Sequence, residues 1–226
     1  MISLMAKVDR IGLQELQGKG VMTAFIWDLD GTLIDSYDAI MAALEVVYRR
    51  YRLEFKAEAI RQFILQESVG ALLSRLAEQE GLDESALKML FSQEQGKRDH
   101  QIQLMPFAKA ILDWTKEQAI SNFIYTHKGP SASQVLENLG IADYFTEVLT
   151  SQSGFKRKPS PEALHYLMAK YNLDRKTTYY IGDRSLDVQA AKSAGIGSIN
   201  LTQEGGTDNH KIANLRDIKG LLLGQR

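Results

Sequence analysis

Two aspartates one residue apart, Asp28 and Asp30, close the apolar run Ala24-Phe25-Ile26-Trp27, and Gly31 follows them. Carboxylates this close repel each other unless a cation or a shared proton lies between them. A second acidic pair, Asp183 and Asp187, is spaced by one helical turn and follows the run Thr178-Tyr179-Tyr180-Ile181-Gly182. Thr126 and His127 end a third apolar run, and Lys156, Arg157 and Lys158 come after a fourth. Four carboxylates with a hydroxyl and a lysine suit a hard divalent cation and a phosphate. Carboxylate oxygens take Mg²⁺, which keeps several of its waters, while lysine balances phosphate charge.

Each of these groups falls where a strand ends, which says what must hold them. Strand patterns cover residues 24–27, 122–126, 145–150, 178–181 and 198–201. Helical patterns alternate with them: 107–118, 133–139 closed by Gly140, one opening at Ser160 with Pro161 in its first turn, and one ending at Ala194 before Gly195. Strands alternating with helices demand right-handed crossovers and a parallel sheet, and such sheets bind ligands at the carboxyl ends of their strands. A Gly205-Gly206 loop and a C-terminal tail complete the chain.

Between the first strand and Pro106 the periodicity is purely helical. Ile40, Ala43, Leu44, Val47, Tyr48 and Tyr51 repeat at i, i+3 and i+4 behind Ser36 as N-cap, and further helices fit 57–66, 69–80 and 83–95. The expected fold is therefore α/β, a Rossmann-like parallel sheet core carrying an inserted α-helical cap. Its expected boundaries are 22–33 and 106–226 for the core and 34–105 for the cap, with hinges at 34–36 and 104–106. Residues 1–21 read either as a loosely ordered extension, with Met22 an equally good start, or as a short helix over 8–16 packed on the core.

A chain of 226 residues with 44% apolar content buries one core and a second small one. Its 27 basic and 28 acidic residues are spread evenly, so neither nucleic acid nor an anionic membrane is an expected partner. The absence of cysteine excludes disulfides, thiolate metal sites and a cysteine nucleophile. No apolar run approaches the ~20 residues of a membrane span, and the first twenty residues are too mixed for a signal peptide, so a cytoplasmic location is expected.

Four motifs in order, DLDGT at 28–32, Thr126, Lys158 before Pro159, and GDRSLD at 182–187, resemble those of the haloacid dehalogenase superfamily. Within it, the chain is similar to the phosphatases with a small helical cap, the phosphoglycolate phosphatase-like proteins. The resemblance spans about residues 22–204. It implies that Asp28 attacks phosphorus to give an aspartyl-phosphate and that Asp30 protonates the leaving oxygen and then activates water. It also implies Mg²⁺ held by the carboxylates of Asp28 and Asp183 and by the carbonyl of Asp30, with Asp187 ordering Lys158 or the metal's waters. Thr126 would hydrogen-bond the phosphoryl oxygens and Lys158 offset their charge.

His127 and Arg184 depart from the family pattern, which has Asn and a small Ser or Thr in those places. His127 is either a substrate contact or a loop histidine. Gln66, Glu67 and Ser68, in the cap loop, are the expected substrate-reading residues, for a small phosphorylated metabolite. Three other outcomes share the scaffold: a 2-haloacid dehalogenase, which the second acidic pair argues against, a phosphomutase of the β-phosphoglucomutase type, and a non-catalytic binding or regulatory protein.

Overall fold

The computed structural model describes residues 23–224. The expectations for residues 1–21 lie outside that range. Six strands form one parallel sheet in the order β5-β4-β1-β6-β7-β8. These are β1 (Ala24–Trp27), β4 (Ser121–Tyr125), β5 (Glu147–Leu149), β6 (Thr178–Gly182), β7 (Gly197–Asn200) and β8 (Asn209–Lys211). β1 is central because every residue in it is apolar and fully buried, which suits a strand covered on both faces.

Alternation divides β1 between two cores. Phe25 and Trp27 point to one face, where they pack with α5 (Ala108–Glu117) and α6 (Ala132–Asn138). Ala24 and Ile26 point to the other, against α7 (Glu162–Lys170) and α8 (Ser185–Ala194). Trp27 brings an indole N–H into the core, and Asn122 accepts it at 2.9 Å while donating to Thr115 Oγ1 at 2.7 Å. That buried polar chain is satisfied, so it costs little and fixes how β1 and β4 meet α5.

The segment between β1 and α5 holds four helices, α1 (Tyr37–Arg50), α2 (Ala57–Gln66), α3 (Val69–Glu80) and α4 (Glu84–Gly96). They have a core of their own, in which Leu44, Ile64, Leu73 and Leu87 are among the most buried side chains. This helical insertion joins the sheet domain through a two-stranded antiparallel ribbon, β2 (Ile34–Asp35) with β3 (Gln103–Leu104), where Ile34 faces Leu104 and Asp35 faces Gln103. Both segments expected as hinges therefore pair with each other.

Two local details differ from expectation. Ser36 stands at the N-cap of α1 as expected, but its hydroxyl makes no capping bond and donates instead to Asp30 Oδ1 at 2.7 Å. Pro161, not Ser160, occupies the N-cap of α7, and the helix begins at Glu162. Beyond the Gly205-Gly206 loop, the tail supplies β8, a 3₁₀ turn (Leu215–Asp217) and α9 (Ile218–Gly224), with Leu215 and Ile218 buried. No helix among the described residues is long and apolar enough to cross a membrane.

Candidate active site

Parallel pairing of β1 with β6 sets the acidic groups side by side. The ladder runs Trp27 opposite Ile181, and Asp28 N donates to Ile181 O at 2.8 Å, so Asp28 and Asp183 leave the sheet next to each other. Asp28, Asp183 and Asp187 each bring a carboxylate oxygen into a cluster less than 4.8 Å across, and all three are buried. Burial raises the Asp28 carboxyl, against the pull of Lys158. Burial, followed by the charges of Asp28 and Asp187, pushes Asp183 up to about 7. Neither carboxylate oxygen of Asp28 has a hydrogen-bond partner. Buried, mutually repelling carboxylates fit a hard divalent cation, which would offset their desolvation and their repulsion.

Neighbouring residues aim this cluster. Asp183 accepts from Tyr37 Oη at 2.9 Å and from Thr32 Oγ1 at 3.3 Å. Gly31 turns at φ +80, and a Cβ there would strike both Asp183 and Tyr37, so only glycine lets the chain pass. Asp187 Oδ2 accepts from the backbone of Asp183 (3.2 Å) and of Arg184 (2.9 Å), which ties the start of α8 to the end of β6. A Cβ at Gly182 would occupy the space taken by that carboxylate.

Lys158 is fully buried with its Nζ 2.9 Å from Asp28 Oδ1 and 2.8 Å from Asp187 Oδ1. The first contact is an ion pair without hydrogen-bond geometry; the second is a hydrogen bond. The rings of Tyr125 and Tyr180 flank the ammonium at 5.6 and 5.5 Å. Lys156 and Arg157, its sequence rivals, are exposed.

His127 lies beneath this lysine. Its Nε2 accepts from Lys158 N at 2.9 Å, which requires the neutral ring, and burial together with Lys158 holds its pKa far below the ordinary histidine value. It lines the cavity, yet the bond it makes positions the lysine's backbone. Thr126 is buried at the end of β4, and its Oγ1 accepts from Lys128 N at 3.0 Å, leaving the hydroxyl proton to point elsewhere. Arg184 places Nη2 3.7 Å from Asp28 Oδ2. Burial works against its charge, but Asp28 and Asp187 outweigh that and hold it firmly protonated.

A cavity of about 350 Å³ opens between the strand ends and the insertion. Asp28, Asp30, Thr126, His127, Lys128 and Arg184 line one side. Ile64, Ser68, Gly70, Leu73, Ser92 and Gln95 are among those on the other. Of the three residues expected to read substrate, only Ser68 reaches it. Gln66 and Glu67 are exposed and outside the lining. The reason is local: Ser68 Oγ caps α3 by accepting from Ala71 N at 3.0 Å, so the chain turns inward one residue later than expected. Tyr37, Lys128, Ser92 and Gln95 were not anticipated. Lys128 had a usable signal, since it sits two residues past Thr126 at the same strand end; the others depend on how the helices pack.

The chain is similar to several known proteins. The haloacid dehalogenase-like hydrolase family matches residues 25–201. The phosphoglycolate phosphatase of Vibrio parahaemolyticus is 31% identical over 188 residues, covering 78% of this chain and 82% of its own. That of Yersinia pseudotuberculosis is 29% identical over 185 residues, covering 78% and 79%. The crystal structure of a HAD-superfamily hydrolase, subfamily IA, from Geobacter sulfurreducens superposes with a TM-score of 0.70 over 89% of this chain and 96% of that one; at 20% identity it speaks to the fold.

Proposed function

This chain belongs to the haloacid dehalogenase-like hydrolases and is a phosphomonoester hydrolase of that family, and we propose that it is Mg²⁺-dependent and works through an aspartyl-phosphate on Asp28. The observation that carries this reading is the state of Asp28: a buried carboxylate at a strand end, set among Lys158, Arg184 and Asp183. A carboxylate so placed is aimed by its countercharges rather than solvated by water.

In this reading the carboxylates of Asp28 and Asp183 and the carbonyl of Asp30 hold the cation. When bound, it supplies positive charge that lets an anionic carboxylate approach an anionic phosphate. Lys158 keeps Asp28 aimed and takes up charge on the phosphoryl oxygens, and Thr126 donates its hydroxyl proton to one of them. Asp28 attacks phosphorus as Asp30 gives a proton to the departing oxygen. Asp30 then takes a proton from the water that cleaves the acyl phosphate. The insertion acts as a cap that shuts bulk water out of the cavity.

The substrate class is a small phosphorylated metabolite, and the names of the relatives make 2-phosphoglycolate the first to test. Wild-type protein freed of metal with EDTA should release phosphate from it only after Mg²⁺ is restored, and acid-quenched protein should carry a hydroxylamine-labile phosphoryl group that Asp28→Asn lacks. Hydrolysis unaffected by EDTA, or labelling retained in Asp28→Asn, would overturn the reading. Phosphate returned to another position on a sugar, and never appearing in solution, would identify a mutase instead.

A further inference from the structure

Lys128 has no role in the scheme above, yet its surroundings are unusual. Its side chain is 0% exposed, and Nζ makes no hydrogen bond. Two carboxylate oxygens lie at ion-pair distance from it, Asp30 Oδ1 at 3.5 Å and Asp99 Oδ1 at 3.7 Å. Asp99 belongs to the short 3₁₀ turn (Asp99–Gln101) that leads from the insertion back to β3, and its Oδ1 likewise lacks a hydrogen-bond partner. A buried ammonium is very costly unless neutralised, so Lys128 depends on these two anions and each of them on it.

The backbone under Lys128 is fixed at both ends of its peptide. Lys128 N donates to Thr126 Oγ1, and Lys128 O accepts from Ser151 N at 3.1 Å. The lysine is therefore a stationary post. Asp30 is held from a second side by Ser36, whose hydroxyl belongs to the outgoing arm of the insertion. One carboxylate thus answers to both arms: Ser36 on the way out, and Asp99 through Lys128 on the way back.

We propose that Lys128 is a positioning residue, holding the Asp30 carboxylate where it meets the ester oxygen and tying that placement to the insertion's return arm through Asp99. The proposal rests on the reading of Asp30 as the proton donor. A proton donor works only within hydrogen-bond reach of its acceptor, so a carboxylate that drifts loses transfer without losing substrate binding. The loss must then scale with how badly the leaving group needs the proton. An alkoxide from 2-phosphoglycolate needs it; p-nitrophenolate does not.

The test is leaving-group release in a single turnover by wild type, Lys128→Met, Asp99→Asn and Asp30→Asn on 2-phosphoglycolate and p-nitrophenyl phosphate with saturating Mg²⁺, a step that precedes the water attack Asp30 also serves. In Lys128→Met that rate should fall at least about tenfold on the alkyl ester and less than about threefold on the aryl ester, with half-saturation nearly unchanged. Asp99→Asn should show the same selectivity to a smaller degree, and it serves if Lys128→Met does not fold. Adding Lys128→Met to Asp30→Asn should cost nothing further on the alkyl ester, and Lys128→Arg should recover part of the selectivity. An equal loss of the release rate on both esters, or weaker half-saturation alone, would overturn the proposal, because a purely structural role or a direct phosphate contact produces those results. Failure of the underlying reading looks different: Asp30→Asn itself would then show no leaving-group selectivity.

Discussion

Across the cavity, the sheet wall and the helical wall hold their side chains by different means. On the sheet wall, backbone amides grip Asp187, Asp187 grips Lys158, and Lys158 lies beside Asp28, every one of them buried. On the helical wall, Ile64, Leu73 and Phe91 pack among apolar neighbours, while Ser92 and Gln95 face the cavity without a side-chain hydrogen bond to the protein. The first arrangement tolerates no change in charge, since every member is the countercharge of another. The second tolerates any side chain of suitable shape. Catalysis needs groups held to a fraction of an ångström and selectivity needs a surface that can vary, and on the proposed function this cavity would draw the first from the sheet and the second from the insertion.

The deepest test of this contrast removes the nucleophile. Asp28→Asn should lower kcat for phosphate release on the order of 10⁴-fold or more, whatever the ester. Gln95→Ala or Ser92→Ala should shift kcat/KM by up to about tenfold, and by different factors for different metabolites. A loss in Gln95→Ala as deep and as uniform as in Asp28→Asn would erase the distinction.

Next in size is a stability effect. Asp187→Ala leaves Lys158 buried beside one remaining carboxylate and frees two backbone amides, and should cost about 3 kcal/mol or more in urea denaturation. Ser68→Ala, across the cavity, removes one helix cap and should cost about 1 kcal/mol in the same measurement.

The pH dependence sharpens the comparison further. Asp28 and Asp183 are raised in the folded chain above the 3.8 of the unfolded one. Between about pH 4 and pH 7 the native state therefore holds more protons than the unfolded state, and these groups make stability fall as pH rises through that window. Asp183→Asn should flatten the fall relative to wild type when Tm is measured in EDTA. His127, lowered in the folded chain, contributes the opposite slope below its unfolded value of 6.5, but both proteins share it and it cancels in the difference. On the proposed reading Mg²⁺ would bind the ionised carboxylates, so its addition should raise the wild-type Tm more at about pH 7.5 than at about pH 5.

Much of this was legible in the residues alone, for a physical reason. β1 reads correctly because burial on both faces forbids polar residues, and the insertion reads correctly because each helix buries a stripe at helical spacing. The aspartates of DLDGT and GDRSLD stand out because acidic pairs after apolar strands have few structural uses. What escaped depends on tertiary neighbours. Ser36 has the residue type of a cap, but a carboxylate six residues earlier claims its hydroxyl. β8 reads Asn-His-Lys and carries no apolar alternation; its pairing with β7 defines it. Gln66 and Glu67 look as suitable as Ser68 until the helix that Ser68 caps decides which way each points.

The ribbon of β2 and β3 has one more consequence. Residues that face each other across an antiparallel pair have Cα atoms about 5 Å apart, a gap that a two-residue turn can close. Ile34 and Leu104 are such a pair, so the sheet domain feels the whole helical block as no more than a hairpin loop grown very long. Any block whose two ends emerge one strand spacing apart fits the same socket. If the insertion sets selectivity, as proposed, it is a replaceable cassette, and swapping it should leave the strand ends, and the chemistry they carry, in register.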